Sequence, residues 1–186
     1  MPRLFTGFEV PQSVAEPLSL IRGGLSGARW ITPDHYHVTL RFFGDTDGAM
    51  ARDIDAMLPH GNRPPILLTV TGLRIFGNER PRALVAEIEA TPDLIDLQSE
   101  QERLVRRLGL APETRKYAPH ITLARLRDVS DHQVAHFVSA IGPLPKMSFL
   151  AERFVMFSSR DSVGGGPYVV EADYPFWESD HHDEID

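Results

Sequence analysis

Two short phrases in this 186-residue chain place a hydroxyl two positions after an imidazole: His37-Val38-Thr39-Leu40 and His120-Ile121-Thr122-Leu123, eighty-three residues apart. With eight histidines and nine threonines, chance supplies roughly 0.4 His-x-Thr, and roughly 0.07 when the flanking residues must be apolar. An imidazole titrates near neutral pH, and a hydroxyl both donates and accepts hydrogen bonds. Two such pairs facing one cleft supply an acid, a base and two groups that orient an anion. That inventory suits cleavage of a phosphodiester without a metal ion.

The phrases need strands to work. Successive side chains on a strand point to opposite faces, so His37 and Thr39 share one face and Val38 and Leu40 the other, as do His120 with Thr122 and Ile121 with Leu123. Strand patterns run over Arg3 to Val10, Ala28 to Ile31, His35 to Phe43, Ile66 to Ile75, Arg82 to Glu89, His120 to Arg127, Met147 to Phe157 and Tyr168 to Phe176. Helical spacing covers Ser13 to Arg22, Asp45 to Leu58 with Asp45 or Thr46 as N-cap, Asp93 to Leu108 and Asp131 to Ile141. Each half contains a helix, a short extended lead, a His-x-Thr strand, a second helix and a hairpin. The expectation is an α+β fold in which two pseudo-symmetric lobes of antiparallel sheets, with outer helices, surround a central cleft where the motif strands meet. One bilobal domain then spans residues 1–177, and the acidic segment 178–186 reads as a disordered tail.

Composition narrows the partners. The chain is 42% apolar and 9% aromatic, ordinary for a globular protein, and has no cysteine, which excludes thiolate nucleophiles, thiolate metal ligands and disulfides. Net charge is −7, but five of those charges (Glu178, Asp180, Asp183, Glu184, Asp186) lie in the last nine residues. A body so close to neutral argues against tight binding to long duplexes and leaves room for a small or end-bound phosphate ligand. No run approaches the eighteen apolar residues of a membrane span, so a cytoplasmic monomer with no membrane partner is expected.

The wording around the two phrases resembles the two-histidine phosphoesterase superfamily, and within it the RNA 2′,3′-cyclic phosphodiesterases, also called 2′-5′ RNA ligases. Arg3-Leu4-Phe5, Arg29-Trp30, His37 to Gly44, Pro81-Arg82-Ala83-Leu84, Pro119 to Arg125, and Gly166 with Tyr168 carry the likeness in order along the chain. The resemblance implies hydrolysis of an RNA terminal 2′,3′-cyclic phosphate to a 2′-phosphomonoester without a cofactor. It gives His120 the role of proton acceptor from water and His37 that of proton donor to the leaving ribose oxygen; the residues alone do not orient the pair. Running the same chemistry backward would join RNA ends through a 2′-5′ bond. Alternatives are a cyclic phosphodiesterase acting on ADP-ribose 1″,2″-cyclic phosphate or on 2′-5′ oligoadenylate, and a non-catalytic module that binds RNA 3′ ends or small cyclic nucleotides.

Thr39 and Thr122 are candidate contacts to the non-bridging phosphate oxygens. Arg125 is implied as a phosphate ligand, although it lies five residues after His120 and so out of phase on a regular strand; reaching the site requires a bulge or a strand end. Phe42, at the matching position after His37, is a candidate for base stacking, with core packing the competing reading; symmetry predicts that the two deviate alike. Arg82 and Tyr168 are further binding candidates, Tyr168 against a packing role. Arg41 is in phase with His37 and reads either as added positive potential or as an exposed ion pair. His35, His60, His132 and His136 read as bystanders, His132 and His136 lacking the glutamate of a metalloprotease motif. Gly164 to Gly166 lacks the lysine and hydroxyl of a phosphate-binding loop and reads as a turn.

Overall fold

The computed structural model describes residues 3–159 and 168–177. The glycine turn at 164–166 and the acidic tail at 178–186 lie outside the described residues. Among the described residues are β1 (Arg3–Glu9), α1 (Gln12–Ser19), β2 (Ala28–Trp30), a 3-10 turn (Pro33–His35), β3 (His37–Asp45), α2 (Gly48–Met57), β4 (Ile66–Phe76), β5 (Ala83–Ile88), α3 (Pro92–Arg107), β6 (His120–Leu126), α4 (Asp131–Ile141), β7 (Met147–Ala151), β8 (Arg153–Ser159) and β9 (Val169–Pro175). The strands form one antiparallel path, β7-β4-β5-β6-β3-β1-β8-β9, with β2 continuing the edge of β6.

That path has two four-stranded halves joined at a single ladder pair, Val38 opposite Ile121. Both residues are fully buried, so the apolar phase of each motif strand is what fixes the junction. Behind them lies the main core, where Val38, Leu40, Ile121 and Leu123 pack with Val14 and Leu18 of α1, Ile54 of α2, and Leu94, Leu97 and Leu104 of α3. A smaller cluster, Leu84, Ala124, Leu126 and Val134, seats α4.

The helix boundaries follow local chemistry. Thr91 caps α3 by accepting from the Leu94 N–H, with Pro92 in the first turn, and Ser130 and Gln133 form a reciprocal capping box on α4. The second helix starts later than the sequence predicts. Strand β3 continues through Gly44 and Asp45, which pair with Leu4 and Arg3, and Asp47 provides the cap by accepting from the Met50 N–H at 2.8 Å. The same strand also begins later than predicted, at His37, because Pro33 to His35 close a 3-10 turn through the His35 N–H to Thr32 carbonyl bond of 2.8 Å.

Met147 to Phe157, expected as one strand, is two. β7 pairs with β4, whereas β8 pairs with β1 and β9. The charged pair Glu152-Arg153 is the only charged interruption of this mostly apolar stretch, and Glu152 alone separates the two strands. Consecutive Cα atoms are about 3.8 Å apart, so one connecting residue brings the far end of one half against the other and folds the path back on itself. The predicted pairing of the second part with the last strand holds, from Arg153 opposite Pro175 to Ser158 opposite Val169. No helix among the described residues is long and apolar enough to cross a membrane.

Candidate active site

Val38 opposite Ile121 in an antiparallel pair sets His37 abreast of Thr122 and Thr39 abreast of His120, with all four on the face away from the core. The two histidines thus lie diagonally across the seam. Both imidazoles are held in the same way: His37 Nδ1 donates to the His35 carbonyl at 2.9 Å, and His120 Nδ1 donates to the Ala118 carbonyl at 2.7 Å. A carbonyl can only accept, so Nδ1 carries the hydrogen and each Nε2 is left with its lone pair for chemistry. His35, read from sequence as a bystander, supplies one of these orienting carbonyls.

Both motif strands break phase immediately after the threonine. Opposite β1, Thr39 faces Gly7 and Arg41 faces Thr6, which leaves Leu40 extra. Opposite β5, Thr122 faces Val85 and Ala124 faces Leu84, which leaves Leu123 extra. Each bulge inserts one residue and reverses the alternation beyond it. Arg125 and Phe42 therefore return to the face of the histidines, and both are exposed there, Phe42 with its ring 5.1 Å from that of Phe5. Arg41 goes to the other face, where its Nε donates to Glu102 of α3 at 2.7 Å in a nearly buried ion pair, so it adds no potential to the cleft and is no surface pair.

The surroundings of the two imidazoles differ. Around His37 are Tyr168, edge-on at 4.9 Å between ring centroids, Phe5 at 5.1 Å and Phe157 at 5.5 Å. His120 has Phe76 edge-on at 4.6 Å, and the Arg74 guanidinium lies over that ring. Burial among these rings pushes His37 down to about 4, with the charges of His120 and Arg125 pressing the same way against the opposing His35 carbonyl. Burial lowers His120 too, and Arg125 adds to it. The two effects place the Arg125 charge near both imidazoles. Glu9 stands opposite His37 and Glu87 opposite His120, but Arg153 holds the first at 2.6 Å and Arg74 the second at 2.8 Å.

Phe5, Phe157 and Phe76 escaped the sequence reading because an isolated phenylalanine on an apolar strand looks like core. Tyr117 escaped as well: its hydroxyl donates to the Thr39 carbonyl at 2.7 Å and ties the segment ahead of β6 to β3 across the seam. Gly7, opposite Thr39, sits so close that a Cβ there would lie 2.5 Å from the Val38 carbonyl oxygen. Of the remaining candidates, Tyr168 packs on His37, and Arg82 is exposed one residue before Ala83, the partner of Arg125 across the ladder. Neither threonine hydroxyl bonds to another described residue. His132 and His136 are exposed on α4, and no group of three His, Asp or Glu side chains converges as metal ligands among the described residues.

A family model for LigT-like phosphoesterases matches residues 8–87 and again 85–168, one copy for each half. An RNA 2′,3′-cyclic phosphodiesterase of Bacillus subtilis is 30% identical over 84% of this chain and 87% of its own length. One of Thermotoga maritima is 28% identical over 90% of this chain and 92% of its own. The structure of Escherichia coli LigT complexed with 3′-AMP superposes with a TM-score of 0.75 at 22% identity, covering 96% of this chain and all of that one. Two fused copies of one pattern, each bringing a tethered histidine and a threonine to a common seam, account for both the repeat and the fold, and the chain belongs to the LigT-like phosphoesterases of the two-histidine superfamily.

Proposed function

We propose that this chain hydrolyses the terminal 2′,3′-cyclic phosphate of RNA to a 2′-phosphomonoester, with no metal ion in the chemical step. The observation that carries the reading is the matched tethering of His37 and His120, which presents two Nε2 atoms to one face between two hydroxyls that bond to no other described residue and the Arg125 guanidinium. His120 accepts a proton from water as its oxygen bonds to phosphorus. The bond from phosphorus to the ribose 3′ oxygen breaks, and His37 gives that oxygen a proton. Thr39, Thr122 and Arg125 hold the non-bridging oxygens, where negative charge grows. Phe42 is placed to stack on a base. Curated relatives that bear this activity in their names, matched over most of the chain, support the substrate class.

The roles require one proton shared between two imidazoles that both resist it. In the empty cleft His37 is the harder of the two to protonate, so the phosphate anion must draw the proton onto it as substrate binds. The test is hydrolysis of cytidine 2′,3′-cyclic phosphate in excess EDTA, with the product identified as the 2′- or 3′-phosphate. The expected product is the 2′-phosphate, lost in His37→Ala and in His120→Ala. No turnover, turnover unaffected by either change, or a 3′-phosphate product would overturn the assignment.

A further inference from the structure

Strand β2 extends the sheet beyond the motif seam, and its register is Ala28 opposite Leu126, Arg29 opposite Arg125 and Trp30 opposite Ala124. Residues directly opposite each other on antiparallel strands share a face. Ala28 and Trp30 pack with Leu126, Ala124 and α4 on the far side, so Arg29 emerges on the cleft face beside Arg125. Both arginines are exposed, and neither forms an ion pair with the described residues. Two like charges directly across a ladder repel. Among the described residues no carboxylate pairs with either arginine to offset that cost, whereas a ligand carrying two phosphates would.

Beyond His37 lies a second concavity, a cavity of about 500 Å³ whose described wall includes Glu9, Glu16 and Asp34 and, among the described residues, no lysine or arginine, although Arg153 pairs with Glu9. The carboxylates of Glu16 and Asp34 disfavour a phosphate there. For an RNA strand that has its terminal cyclic phosphate at the histidines, the Arg29 edge is the more favourable direction for its next charge.

We propose that Arg29 binds the phosphodiester on the 5′ side of the terminal nucleotide, one ribose away from the reacting phosphate held by Arg125. The inference rests on the phosphodiesterase reading above and sharpens its substrate to RNA ends over mononucleotides. The long arginine side chains spread from Cα atoms about 5 Å apart, and a fork of N–H donors suits each phosphate.

The experiment compares kcat/KM for cytidine 2′,3′-cyclic phosphate with that for the dinucleotide CpC ending in a 2′,3′-cyclic phosphate. A charged hydrogen bond to the extra phosphate predicts a dinucleotide preference of about tenfold in the wild type, falling towards one in Arg29→Gln. The dependence of the dinucleotide KM on salt becomes shallower in that variant, by about one counterion. A wild-type ratio near one, a ratio that survives in Arg29→Gln, or an unchanged salt slope would overturn the proposal. Absence of turnover on both substrates would instead strike the phosphodiesterase reading, and this inference with it.

Discussion

Acidification should destabilise this protein through His37, by an amount the site geometry sets. Three aromatic rings around the imidazole hold it near pKa 4 when folded, against about 6.5 in the unfolded chain. The folded pKa is depressed, so between those values the unfolded state takes up a proton that the folded state refuses. Stability from this source is complete above about pH 6.5 and drains away as the pH falls. At pH 4.5 the two populations differ by a loss of about 2 kcal/mol relative to pH 7. His37→Gln removes the titrating group and keeps an amide that can donate to the His35 carbonyl. Urea unfolding of both proteins at pH 7 and pH 4.5 should show the wild type losing about 2 kcal/mol more than the variant, since every other titrating group is common to both. Equal acid dependence would refute the argument, as would a His37 Cε1–H resonance that titrates near 6.5.

Because both imidazoles are lowered, kcat/KM should be bell-shaped, with both limbs on the acid side of neutrality. It should fall about tenfold per pH unit above the higher limb, whereas kcat, measured with the anion bound, shifts to higher pH; a plateau extending through pH 8 in kcat/KM would be inconsistent. Glu102→Gln leaves Arg41 nearly buried without its carboxylate and should cost about 3 kcal/mol in urea unfolding; a cost near zero would return Arg41 to the solvent. Gly7→Ala forces β1 away from the Val38 carbonyl and should cost about 2 kcal/mol together with a loss in kcat; full activity at wild-type stability would contradict so close an approach. Tyr117→Phe removes the bond to the Thr39 carbonyl and should cost about 1 kcal/mol, read in the thermal midpoint.

The central residues of the candidate site stand in plain view in the sequence, because alternation in a strand is a local property: His37 with Thr39 and His120 with Thr122 need nothing beyond their own spacing. Residues past the motifs obey a rule the sequence does not display. Leu40 and Leu123 look like any core leucine, yet each is the extra residue of a bulge, a fact that exists only in relation to β1 and β5. From this follow the exposure of Phe42 and Arg125 in the cleft and the burial of Arg41 against Glu102, which a regular strand would have reversed. The expectation that Phe42 and Arg125 deviate alike came from the repeat, and the two bulges supply the means. Met147 to Phe157 hid its break for a similar reason: Glu152-Arg153 reads as a charged pair within one mostly apolar run, and only the different partners of β7 and β8 show that one strand ends there. Arg29 was visible as a family word, but its face was not, since that depends on register with β6.

The junction of the halves at Val38 and Ile121 has a mechanical consequence. A rotation of one half against the other about a line through that pair would move each atom in proportion to its distance from the line. His37, Thr39, His120 and Thr122 flank the line within one residue of it on their strands. Those four side chains would keep their separations while Phe42 and Arg29, further from the line, moved through wider arcs.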